Sequence, residues 1–199
     1  MLLRAAALVT TVLLSTAMAV GQAPSLSWLD RPLSSWNRAG ATLPNVRATN
    51  DVRAALINRC KLNPRQSTTP ERALAAAGWI PFLHFDGQLL QDDVEVIDGM
   101  TDADGMCRPV TFNVFVFVGG RFAGTLSPEP MTSRLDGSIG AVRTVSASEI
   151  TAEFARYRAQ DPLCCPSSRV TVRFRIDRTG PDVVVTPVDV RTTRGNTKE

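Results

Sequence analysis

Histidine is nearly missing from this chain: 199 residues contain one, His84, and a single tyrosine, Tyr157. Zinc centres and nucleophile–base pairs draw on imidazole, so one histidine leaves little material for either. The Cys-x-x-Cys spacing of a thiol-redox motif is also absent, and the four cysteines stand at 60, 107, 164 and 165. Without that motif or an activated thiolate, catalysis by these cysteines is not expected. Neither sign of charge dominates: 22 Lys and Arg against 19 Asp and Glu give +3, too mild an excess to argue for nucleic acid. The basic residues are spread along the chain or alternate on strands, as on a solvated sheet face. No internal repeat and no low-complexity block occurs.

What is present begins with an export pattern. Met1 to Arg4 is a short basic start, Ala5 to Ala19 an apolar run, and Ala17-Met18-Ala19 a small-x-small cleavage site. The run gives out at Gly21-Gln22, short of a bilayer's width, so the expectation is a signal peptide cut near Ala19 and not a retained anchor. Its removal takes Arg4 with it and leaves a net charge of +2. Export places the protein in a periplasmic or extracellular, oxidising setting, where an even count of cysteines reads as two disulfides. A bond between adjacent Cys164 and Cys165 needs a strained eight-membered ring, which favours bonding Cys60 and Cys107 each to one of that pair. Which of the two takes Cys60 is left open. A bridge from Cys60 would close a loop of about 100 residues, worth about 4 to 5 kcal/mol in the chain-entropy model.

The apolar content of 44% suits one packed domain. Residues 20–49 read as an extended arm, with Trp28 and Trp36 strapping it to the core. The domain proper is expected over residues 50–190. Asn50-Asp51 opens a short helix with Val52, Leu56 and Cys60 on one face, ending at Asn63-Pro64. A second helix follows, with Thr69 as N-cap, Pro70 at its first position and Gly78 as terminator; Trp79 folds back on Leu74. Strands are expected at Ile80 to Phe85, Leu89 to Ile97 and Val110 to Val118. The last is apolar on both faces and so belongs mid-sheet under a helix. Gly119-Gly120 predicts a hairpin returning through Arg121 to Leu126. Met131 to Ser138 reads as an exposed loop. Ile150 to Arg158 fits a helix or a strand equally. In Arg169 to Ile176, Val170, Val172, Phe174 and Ile176 alternate with polar residues, the pattern of a half-buried strand. Asp182 to Val190 supplies a last strand with Pro187 at an edge. Residues 191–199 lack apolar side chains and read as a disordered tail.

Phe117-Val118-Gly119-Gly120-Arg121-Phe122-Ala123-Gly124-Thr125, then Ser127-Pro128-Glu129-Pro130, the Asp161-Pro162-Leu163-Cys164-Cys165-Pro166-Ser167 loop and the Val170 to Ile176 strand together resemble the LppP/LprE family of bacterial envelope lipoproteins. The likeness spans roughly Ala73 to Val190, and Cys-Cys-Pro-Ser between two strands is its most specific part. The resemblance implies that Ile150 to Arg158 is a strand. It also implies an exported, non-catalytic domain of unestablished role, and brings no catalytic or binding residues. Before Cys60 there is no cysteine to carry a lipid, so a soluble exported protein is expected.

Three further chemistries have part of their material in the sequence. His84 could serve Ser138 as general base, since Asp136-Gly137-Ser138-Ile139-Gly140 has part of a nucleophile-elbow pattern; the elbow wants glycine where Asp136 stands. Acidic residues cluster at Asp92, Asp93, Glu95, Asp98, Asp102 and Asp104. A calcium loop there would put Met100 and Thr111 at its first and twelfth positions, so an acidic turn is the simpler reading. A sugar-cleaving carboxylate pair needs only two acids at a set separation, but nothing in the spacing selects a pair. The expectation is therefore an α+β domain: one antiparallel sheet of five to seven strands packed against one or two short helices, with a single core and two disulfides. Its function is expected to be binding or scaffolding at the cell envelope, towards a protein or glycan partner, with no cofactor, metal or nucleic acid. A secreted hydrolase using the Asp92–Asp104 cluster or His84 is the alternative.

Overall fold

The computed structural model describes residues 27–47, 50–64, 66–82 and 89–194. His84 and the expected signal peptide, residues 1–19, lie outside the described residues. Among the described residues two α-helices, α1 (Asn50–Cys60) and α2 (Thr69–Ala76), precede nine strands: β1 (Ile80–Phe82), β2 (Leu89–Gln91), β3 (Val94–Ala103), β4 (Pro109–Val118), β5 (Arg121–Thr125), β6 (Ile139–Ser146), β7 (Glu149–Arg156), β8 (Ser168–Asp177) and β9 (Val184–Arg194). All pairings are antiparallel. One sheet has the order β1-β3-β4-β5 with β2 also on β3, and the other the order β6-β7-β8-β9. The single sheet expected from the sequence is thus two.

The reason lies in the strand patterns. In β8, Val170, Val172, Phe174 and Ile176 are buried and Arg173 and Arg175 exposed, so this sheet covers one face only. In β4, Phe112, Val114, Val116 and Val118 face the same inter-sheet core as β8, while Phe115 and Phe117 point the other way. That outer face packs against Leu74 of α2 and Trp79 just beyond it, a second core separate from the first. The doubly apolar β4 does sit mid-sheet under a helix, as read from its sequence. The single core becomes two because the helix covers one side of the first sheet and the second sheet covers its other side.

Local signals behave as their chemistry dictates. Gly119 and Gly120 both take positive φ, 55° and 76°, and turn β4 into β5. The Ile150 to Arg158 segment is strand β7, paired with β8 from Glu149↔Arg175 to Arg156↔Ser168. The N-cap of α2 is Thr68 and not Thr69: its hydroxyl accepts from Glu71 N, and the Glu71 carboxylate accepts from Thr68 N at 3.1 Å. Gly78, at φ 92°, ends that helix, and Trp79 N returns to Leu74 O. In α1 only Leu56 is buried, whereas Val52 is 59% exposed, so the expected inward face is narrower. Met131 and Ser138 are buried, and Met131 bridges to Phe112, so that connection is not wholly exposed. Strand β9 runs to Arg194, with Thr192↔Val170 and Arg194↔Ser168, so the disordered tail expected over residues 191–199 is strand through 194. Backbone pairing with the full length of β8 orders it despite its polar side chains.

The arm is strapped down by its aromatic rings. Trp28 meets Trp36 and Phe154 edge-on at 5.0 and 5.2 Å, and Trp36 meets Phe174 at 6.1 Å. Beside them Asn37 joins the two sheets: its amide donates to Thr125 O and Val185 O, both at 2.9 Å, and its carbonyl accepts from Thr125 N. Gly124 makes room for it, since a Cβ there would fall 2.4 Å from Asn37 Cγ.

The cysteine pairing differs from expectation. Cys60 is bonded to Cys107 across a Cα–Cα distance of 5.5 Å, and Cys164 pairs with its neighbour Cys165. The expectation took the strain of an eight-membered ring to rule out a bond between the neighbours. These residues instead stand in a turn, closed by Cys165 N to Pro162 O at 2.9 Å, and their sulfurs face each other.

Candidate ligand-binding cleft

The loops that hold the cysteines frame an open cleft of about 910 Å³ between the ends of the two sheets. On one side α1 stops at Cys60 and Lys61, which takes φ 48°. The Cys60–Cys107 bond fixes that helix end to the β3–β4 turn, and Arg59 donates to Ala103 O at 2.8 Å. Asp104 organises the turn. One carboxylate oxygen accepts from Met106 N and Arg108 N, and the other pairs with the Arg108 guanidinium. The Arg108 side chain, followed by these backbone donors, holds the Asp104 carboxyl below its usual range.

Opposite, Asp161 shapes the loop between β7 and β8. Its carboxylate accepts from Arg158 N and Ser167 N, each at 2.8 Å, and from the Ser167 hydroxyl. The Ser167 hydroxyl is the largest cause of its lowered pKa. Tyr157 closes the same loop by donating its hydroxyl to Leu163 O at 3.0 Å. Cys164 and Pro166 therefore reach the cleft on a braced turn.

Phe82, Met100, Pro109, Ile139 and Ala155 line the cleft with apolar surface. Its charged lining residues are all basic: Lys61, Arg108, Arg134 and Arg169. Arg169 has space because β6 carries Gly140, where a Cβ would lie 3.2 Å from its guanidinium. Ser138 lines the cleft too, but it is buried and its backbone is tied to Leu135 and Ala155. Asp136, beside it, accepts from Arg156 Nε and Tyr157 N.

The six acidic residues are not gathered at one point. They are spread along β3 and its two ends, and Asp93 and Asp104 stand 11 positions apart, roughly 35 Å on an extended strand. Asp93 pairs with Arg178, Glu95 is buried and accepts from the Thr68 hydroxyl, and Asp102 accepts from Ala103 N. Asp98 is buried, and strand alternation sets it on the face opposite Glu95. Among the described residues no group of three or more acids, cysteines or histidines could hold a metal ion. The four cleft cations were missed in the sequence because they come from four separate segments, and only the packing of the sheet ends gathers them.

These features define a class: an α+β domain of two antiparallel sheets whose cysteine-bearing loops meet at a basic cleft. Residues 87–179 match the family model described as LppP/LprE lipoprotein, so the resemblance seen in the sequence is real over that segment. No curated protein and no solved structure matches the chain.

Proposed function

We propose that this protein is an exported, non-enzymatic binding domain of the bacterial envelope, and that the cleft between its sheet ends is where it binds. The observation that carries the reading is the cleft itself: a concavity of ligand size with apolar side chains in its lining and cations gathered from four separate segments. The match to a lipoprotein family supports placement at the envelope. The spread of the Asp92–Asp104 carboxylates along β3, with Asp93, Glu95, Asp102 and Asp104 engaged in structural contacts, weighs against the hydrolase alternative.

The test is capture of a ligand from envelope extract. Purified protein is incubated with extract, re-isolated under native conditions and weighed by mass spectrometry beside an R134E/R169E variant. A bound species on the first and not on the second is expected. An unliganded protein that turns over a glycan or ester panel would transfer the assignment to the hydrolase.

A further inference from the structure

We infer that the ligand of this cleft is an anionic amphiphile, a phosphate-type headgroup attached to a hydrocarbon chain. The inference rests on the binding role proposed above and assigns its ligand class.

The headgroup side follows from charge. Arg108 is tied to Asp104, but Lys61, Arg134 and Arg169 make no side-chain hydrogen bond or ion pair among the described residues. Of the acids beside lining residues, Asp104 is committed to Arg108, Asp136 to Arg156 and Tyr157 N, and Asp161 to Ser167 with Arg158 N. Uncommitted guanidinium groups at a concave site favour phosphate or carboxylate oxygens, which accept paired N–H donors.

The hydrocarbon side follows from the rim. Among the described residues six large hydrophobic side chains are exposed, and three of them adjoin cleft residues in the chain: Met106 next to Cys107, Leu135 next to Arg134, and Leu163 next to Cys164. They are 74%, 51% and 55% exposed and come from three different loops. Single exposed hydrophobes are ordinary; three that each adjoin a lining residue, on three loops around one cleft, point to a binding surface. Phe82, Met100 and Ile139 add apolar surface to the lining beside the cations. A plain anion would leave both apolar zones in water, and an uncharged lipid would leave the cations without partners.

Calorimetric titration of the purified protein tests this with dihexanoyl phosphatidate as monomer, dihexanoyl phosphatidylcholine and inorganic phosphate. Phosphatidate should bind, and the other two should bind at least about tenfold more weakly. R134E/R169E should lose on the order of tenfold for each cation removed. R143E/R175E carries the same charge change on exposed strand positions outside the cleft and should retain the wild-type affinity. Urea unfolding midpoints of both variants establish that they fold. If R134E/R169E is unfolded, R134A/R169A serves, with the same expectation. Co-sedimentation with phosphatidylglycerol vesicles distinguishes a headgroup met in a bilayer from a monomeric lipid; loss of either mode in the cleft variant supports the assignment. Equal affinity for inorganic phosphate, or equal losses in the two charge variants, would overturn it. Capture of an uncharged or chain-free ligand from extract, with no phosphatidate binding, would also overturn it and leave the binding role standing.

Discussion

The pairing of the cysteines makes a quantitative prediction that separates the observed connectivity from the one expected of the sequence. Cys60 and Cys107 lie 47 positions apart, so their bond constrains the unfolded chain by about 4 kcal/mol in the chain-entropy model. A bond between neighbours closes almost no loop, and the same relation gives Cys164–Cys165 less than about 1 kcal/mol. C60A/C107A should therefore lose about 4 kcal/mol, or about 2 M in urea midpoint at a slope of about 2 kcal/mol/M. For a chain this long, that is a fall in Tm of about 8 to 16 °C. C164A/C165A should stay within about 1 kcal/mol of the parent. Had Cys60 and Cys107 each bonded to the 164/165 pair, each double variant would break both bridges and the two losses would match. Equal losses, or a C60A/C107A protein as stable as the parent, would refute the reasoning. Peptide mapping without reductant checks the connectivity directly.

Other perturbations read out single contacts. N37A removes three hydrogen bonds and strips partners from Thr125 and Val185, and should cost about 2 to 3 kcal/mol by urea unfolding. G124A should cost at least as much, because the new Cβ would collide with Asn37 and the backbone there sits at φ 142°; a neutral result would mean that Asn37 does not hold the sheets as described. T68A deletes the hydroxyl that caps α2 and contacts Glu95, for a loss of about 1 to 2 kcal/mol. Asp93 is held below the usual carboxylate range chiefly by its hydrogen bond to Arg178. A depressed carboxyl contributes stability above its unfolded pKa of about 3.9 and loses it as the pH falls through the lower folded value. The stability of D93N should therefore fall less steeply than that of the parent below about pH 4; parallel pH profiles would argue against that ion pair.

Strand periodicity was legible wherever one residue type dominated each face. Val170 to Ile176 and the two-faced Val110 to Val118 each announced their layer, and Gly119-Gly120 announced its turn. The division into two sheets was not legible, because it depends on which strands close against one another after the Pro128–Pro130 break. β5 and β6 are consecutive in the chain yet fall in different sheets, and no local pattern encodes that. The extent of β9 was hidden because backbone pairing with β8 orders Arg191 to Arg194 without any apolar side chain. Asn37 gave no signal at all, since an asparagine in an irregular segment looks like turn chemistry until its partners at 125 and 185 are known. The cleft was hidden for the same reason: Lys61, Arg108, Arg134 and Arg169 become neighbours only through the fold.

The fastening at Asn37 also sets an order of assembly. The arm leaves the ribosome first, yet one of its anchors, Val185, is 148 positions later and near the far terminus. Until the final strand has been made, the early tryptophans have no finished seat, and the two layers stay unbuttoned. A polypeptide so arranged can complete this fastening only once residue 185 has been made.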